Sequence, residues 1–238
     1  MGRIVVFGAG GRVGRAAVGE AVRRGHHVTA VVRDPAAYRH LHADSVIVAA
    51  GDVTDADRVA DLSAGHGAAI MAAYDAAARP DAFFTSAARA LLDGLTRAGV
   101  ERLVAVGLSA ALETGDGTPL NEVAGFPQEY RPFARAHAAG TAVLRASQTT
   151  VDWVVVSPAG DFDATGAGSG GYVVSGADMA GRIAYGDFAL ALLDEIDAPR
   201  RHRVHIGVDA ACAKDAGEAQ DTEPLRRNAT AGTSLTQS

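Results

Sequence analysis

The sequence predicts an α/β chain built on one doubly wound, mostly parallel sheet. Three observations carry that reading. Short apolar runs alternate with helical patterns from residue 1 to about residue 208, no linker interrupts the alternation, and the first run breaks into a glycine cluster that opens a helix. Strand, helix and strand at this spacing require crossover connections, hence parallel pairing with helices packed on the sheet.

Taken in order, Ile4 to Phe7 are apolar throughout, as expected of a strand covered on both faces. Gly8, Gly11 and Gly14 follow at intervals of three and lead into a helix over Arg12 to Arg24. Gly8 permits the tight turn, Gly11 removes a side chain where backbone must approach a pyrophosphate, and Gly14 lets the helix press on the strand. The helix start adds unpaired N–H groups and a positive dipole end. This is the pattern of a dinucleotide site in a Rossmann-like fold.

Further strands are expected at Val28 to Val32, Val46 to Ala49, Ala69 to Ala72, Leu103 to Val106, Val151 to Val156 and Val204 to Ile206. Further helices are expected at Ala56 to Leu62, Thr85 to Ala98, Arg131 to Ala146 and Tyr185 to Glu195. Two insertions should build the substrate region within the one domain, 113–128 and 161–179. In the second, Gly166, Gly168, Gly170 and Gly171 suggest a mobile turn. Residues 209–238 are dominated by Ala, Gly, Thr, Asp and Gln, which predicts a low-complexity, flexible tail with at most a short helix around 210–219.

With 238 residues, 48% hydrophobic and 21% charged, the chain suits one soluble domain with a sizeable core. A net charge of −6 without a Lys or Arg run argues against a nucleic-acid partner. The single cysteine, Cys212, excludes an internal disulfide framework, and the eight histidines form no pattern of metal ligands. No signal-peptide pattern and no membrane-spanning apolar run are present, so a cytoplasmic protein with a small-molecule substrate is expected, as a monomer or homodimer.

Cofactor choice is read at the end of the second strand. Arg33 lies 19 residues beyond Gly14, near the spacing of the ribose-reading position. An acid there would hold the 2′-hydroxyl of NAD, whereas Arg33 can receive a 2′-phosphate bidentately, with Arg12 approaching from the helix side. NADP(H) is therefore expected over NAD, the competing reading being that Asp34 takes the ribose of NAD. Asp52 should meet the adenine amino group and Val53 the ring, while Thr54 or Asp55 caps the next helix. The expected cofactor-binding set is Gly8, Gly10, Gly11, Arg12, Val13, Gly14, Arg33, Asp52, Val53, Ala72, Ala73 and Pro158.

Several segments together carry a resemblance: Gly8-Ala-Gly-Gly-Arg-Val-Gly14, Val32-Arg33-Asp34-Pro35, Gly51-Asp52-Val53, Val100 to Gly107 and Val151 to Pro158. With Gly125 to Tyr130, His137-Ala138 and Arg182 to Ile196, the chain resembles atypical short-chain dehydrogenase/reductases, in the NAD(P)H-binding, NmrA-like branch related to biliverdin reductase B. The resemblance covers residues 1 to about 208. It implies a nicotinamide cofactor, a small unsaturated or carbonyl substrate and cytoplasmic residence.

Two departures bear on catalysis. The wider superfamily often uses Tyr-x-x-x-Lys, the lysine making the phenol a better acid, but position 134 after Tyr130 is alanine. The branch commonly carries a serine in a segment resembling Gly-Gly-Ala-Gly-Ser-Leu, and here Gly107-Leu-Ser109-Ala-Ala-Leu stands in its place. The candidate catalytic groups are Ser109, Tyr130 and His137, the last two spaced by two helical turns. Hydride transfer would also proceed by orientation alone, with the proton taken from water. The leading expectation is an NADPH-dependent reductase of a small ketone, enone or quinone-like molecule, with secondary metabolism as its expected setting. The alternatives are an NADP(H)-sensing regulator without chemistry and a non-redox isomerase, epimerase or dehydratase that retains its cofactor.

Overall fold

A computed structural model of the chain describes residues 2–211, and the expected tail, the short helix within it and Cys212 lie outside the described residues. The elements run β1 (Arg3–Phe7), α1 (Arg12–Arg23), β2 (His27–Val32), β3 (Val46–Ala50), α2 (Ala56–Ser63), β4 (Ala68–Met71), α3 (Pro80–Ala98), β5 (Arg102–Val106) and α4 (Arg131–Ala146). They continue with β6 (Asp152–Pro158), β7 (Asp161–Asp163), β8 (Tyr172–Ser175), β9 (Arg182–Ala184), α5 (Tyr185–Asp197) and β10 (Val204–Ala210). Eight strands form one sheet in the order β3-β2-β1-β4-β5-β6-β10-β8. All its pairs are parallel except β10 with β8. The predicted Rossmann-like, doubly wound fold is the fold observed.

Alternation along each strand sends residues to two separate cores. Val5 and Phe7 of β1 join the core under α2, α3 and α4, while Ile4 and Val6 join the core under α1 and α5. All four are fully buried, which is why β1 reads as an unbroken apolar run. Helix α1 buries Gly14, Ala17, Val18 and Ala21, a spacing of three and four residues that defines one face. Its end is stapled to α5 by Arg24, whose Nη1 lies 2.8 Å from Asp194 and 2.9 Å from Asp197.

Several boundaries differ from expectation. Helix α3 starts at Pro80, five residues before Thr85, with proline in the first turn where its missing N–H costs nothing. β10 runs to Ala210, past the expected domain end at 208. The glycine-rich segment read as a mobile turn is tied down: β7 pairs with β9, β8 pairs with β10, and the buried Asp187 carboxylate accepts the Ser169 and Gly170 amides at 2.6 and 3.0 Å. The strand order reverses direction between β1 and β4, and ligands of open parallel sheets bind outside the carboxyl ends at such a point.

Candidate nucleotide site

At that point a cavity of about 700 Å³ opens, and its walls come from the carboxyl ends of β1, β2, β3 and β4. Its walls include Gly8, Gly10 and Gly11 of the glycine turn, Arg33 after β2, Asp52 and Val53 after β3, and Ala72, Ala73, Tyr74 and Phe83. The glycines divide by task. Gly8 has a φ of 84°, and a Cβ there would lie 2.5 Å from the backbone of Ala72 and Ala73, so the β1 turn and the end of β4 pack too closely for any side chain. A Cβ on Gly14 would collide with the Gly8 carbonyl oxygen, so this glycine lets α1 press onto β1. A Cβ on Gly11 would meet nothing closer than 3.5 Å and would enter the cavity.

Helix α1 has Gly11 as its N-cap, no side chain capping it and no acid in its first turn. Its N–H groups and dipole are therefore left to an anion outside the chain. An open cradle over Gly11, an uncapped helix start, and Arg33 and Asp52 beyond it fit a dinucleotide.

Asp52 Oδ1 accepts from the Thr54 amide at 2.9 Å and its hydroxyl at 2.8 Å, which fixes the carboxylate at the cavity wall. Asp55 caps α2 by accepting from the Asp57 and Arg58 amides, as expected.

Arg12 and Arg33, expected to receive one phosphate from two sides, have different partners. The Arg12 guanidinium donates to the Tyr185 hydroxyl at 3.3 Å, on the α5 side, and Arg12 and Val13 are not cavity walls. Arg33 is bridged instead to Asp75, Nη1 to Oδ2 at 2.6 Å. The Ala77 amide, and next the Arg33 guanidinium, hold the Asp75 carboxyl below the usual carboxylate range. Pro158 is buried at the end of β6, against Val208, and is not a cavity wall.

The three catalytic candidates are not brought together at the cavity. Ser109 begins a short 3-10 turn after β5 and is not a wall. Tyr130 is 60% exposed, directly precedes α4 and is not a cavity wall. His137 packs on Phe84, ring centroids 4.2 Å apart, with its Nδ1 sealed from solvent and unpartnered. Burial pushes its pKa down to about 4, so it is neutral at pH 7 and does not carry the imidazolium proton that a general acid at that pH would give. The expected insertions 113–128 and 161–179 contribute no wall, whereas Tyr74, just after β4, does.

Asp75, Tyr38 and Phe83 line the cavity without having been singled out in the sequence. Tyr38 lies over Gly10, where a Cβ would be 2.5 Å from its ring. Tyr74 stacks on Phe84 with ring planes 5° apart, and meets Phe83 and Phe133 edge-on.

Residues 8–199 match the NAD(P)H-binding family. The chain is 30% identical over 210 residues to the uncharacterized protein YwnB of Bacillus subtilis, covering 83% of this chain and 93% of that protein. Among crystal structures it is similar to a candidate NADH-flavin reductase of Streptococcus pneumoniae, at 27% identity and a TM-score of 0.74, over 89% of this chain and all of that one. It is also similar to a candidate epimerase of Bacteroides thetaiotaomicron, at 29% identity and a TM-score of 0.77, over 88% of this chain and 97% of that one.

Proposed function

The chain belongs to the NAD(P)H-binding family, and from that premise we propose that it is an NADPH-dependent reductase of a small, planar carbonyl, enone or quinone-like acceptor. The observation that carries the reading is the cavity itself, whose walls combine an uncapped glycine cradle, a cation at the end of β2 and the aromatic side chains Tyr74 and Phe83. When bound there, the cofactor supplies a hydride. The chain's part is to cradle phosphate at Gly10 and Gly11, hold the adenosine end between Arg33 and Asp52, and offer a flat apolar face at Tyr74 to a conjugated acceptor. The similarity to a candidate NADH-flavin reductase supports a planar acceptor. Cytoplasmic residence goes with this reading. Purified protein with NADPH and a panel of ketones, enones, quinones and flavins tests it: cofactor oxidation with at least one class is expected, and none above background with any of them would remove the reductase.

Arg33 is the residue proposed to choose the cofactor. Arg33→Ala is expected to weaken NADPH binding by about 1.5–3 kcal/mol, the worth of a charge-assisted contact, with little change for NADH. Isothermal titration of both cofactors measures this, and equal binding of NADPH and NADH by the unaltered chain would refute the choice.

Positioning with solvent protonation is the proposed chemistry, because Tyr130 is exposed, His137 is uncharged and Ser109 is outside the cavity walls. Tyr130→Phe is then expected to slow single-turnover hydride transfer by less than the roughly 100-fold that marks loss of a general acid. Abolition of that step with cofactor affinity intact would restore the tyrosine as proton donor.

A further inference from the structure

We propose that Asp75 is a specificity-determining residue of the nucleotide site, competing with the cofactor's 2′-phosphate for Arg33 and thereby setting how far the chain distinguishes NADPH from NADH. The proposal rests on the reading of Arg33 as the phosphate's partner. Arg33 follows β2 and Asp75 stands in the loop after β4, and in the sheet these two strands flank β1. The 2.6 Å bridge therefore joins two walls of the cavity across the end of β1.

The two partners are not equally free to move. Asp75 Oδ1 accepts the Ala77 amide at 3.0 Å, so its own loop aims the carboxylate, and its side chain is 25% exposed. The Arg33 side chain is 64% exposed and follows its partner. A 2′-phosphate arriving at Arg33 meets a cation already paired, with an anion fixed 2.6 Å from the guanidinium nitrogen. The fork of the guanidinium has donors to spare, but one positive charge then faces both a carboxylate and a phosphate. NADH places a neutral hydroxyl in the same position and meets no such repulsion. Asp75 thus lowers the affinity for NADPH selectively, and leaves a chain able to use both cofactors more evenly than Arg33 alone would allow.

The test is titration of NADPH and NADH against the unaltered chain, Asp75→Asn, Asp75→Ala and Arg33→Ala, at low and high salt. Asparagine keeps the Ala77 contact and removes only the charge, and alanine removes both. Both Asp75 variants are expected to bind NADPH about 3- to 10-fold more tightly at low salt with NADH unchanged, the range set by charges a few ångströms apart in a high dielectric. That gain should shrink at high salt as the charges are screened. Equal shifts for the two cofactors, or no shift, while Arg33→Ala still weakens NADPH, would overturn the role of Asp75 alone. Arg33→Ala leaving the NADPH-to-NADH ratio unchanged would remove the phosphate reading of Arg33, and this proposal with it.

Discussion

Gly11→Val is expected to cost more than about 100-fold in nucleotide affinity, or about 2.7 kcal/mol, while leaving the melting temperature close to that of the unaltered chain. The reason is direction. Gly11 has an ordinary φ of −73°, its Cβ would meet nothing nearer than the Gly8 carbonyl oxygen at 3.5 Å, and the added branches would extend into the cavity rather than into the core. Gly14→Ala, a smaller change three residues on, is expected to do the reverse. Its methyl group would collide with the Gly8 carbonyl and lie 2.8 Å from the Ala9 Cα, both backbone atoms of a turn that β1 and β4 hold rigid. Forcing α1 off the sheet should destabilise the fold by about 3 kcal/mol or more, the upper part of the range for overpacked sites. Thermal melts paired with NADPH titration separate the two effects. A folded Gly11→Val chain with unchanged affinity would place the nucleotide elsewhere on the molecule.

This contrast also shows why so much of the cradle was legible. The turn from β1 into α1 is made by consecutive residues, and each glycine's task follows from its neighbours in sequence. Arg33 and Asp52 were legible for the same reason, since Arg33 directly follows β2 and Asp52 stands two residues after β3, strands marked by apolar runs.

What the sequence concealed was set by distant partners. The direction of Arg12 depends on Tyr185, 173 residues away, and the partner of Arg33 depends on how the loop after β4 folds back. The glycines at 166–171 look like a flexible turn until Asp187 is found holding their amides. Counting seven residues from Tyr130 to His137 assumed one continuous helix. Tyr130 instead closes a 3-10 turn directly before α4 and is exposed, whereas His137 packs against Phe84.

Lowering the pH from 7 to 4.5 is expected to destabilise the fold through His137 and His205. Burial pushes both imidazoles down to about 4, with Arg145 and His137 adding to the effect on His205. In the unfolded chain both return to about 6.5. Above pH 6.5 each is neutral in either state, and its full contribution to stability is present. As the pH falls, the unfolded chain takes up protons that the folded one refuses, so stability drains away until the folded imidazoles themselves titrate near 4. One such shift corresponds to at most roughly 3 kcal/mol. The two do not simply add, because they act on one another, so a combined loss of about 3 kcal/mol is expected. His205 also bonds the buried Ser157 hydroxyl through Nε2 at 2.7 Å, an arrangement satisfied by the neutral ring. Urea midpoints at pH 7 and 4.5 measure the loss, and it should be smaller in His137→Gln and in His205→Gln, each of which lacks one of the two buried imidazoles. An identical drop in both variants and the unaltered chain would assign the acid sensitivity to other groups. The same two variants bear on catalysis. A His137 that is neutral from pH 7 down to about 4 has no titration between pH 5 and 8 to impose on the rate, so His137→Gln should leave the pH profile of hydride transfer unchanged in shape.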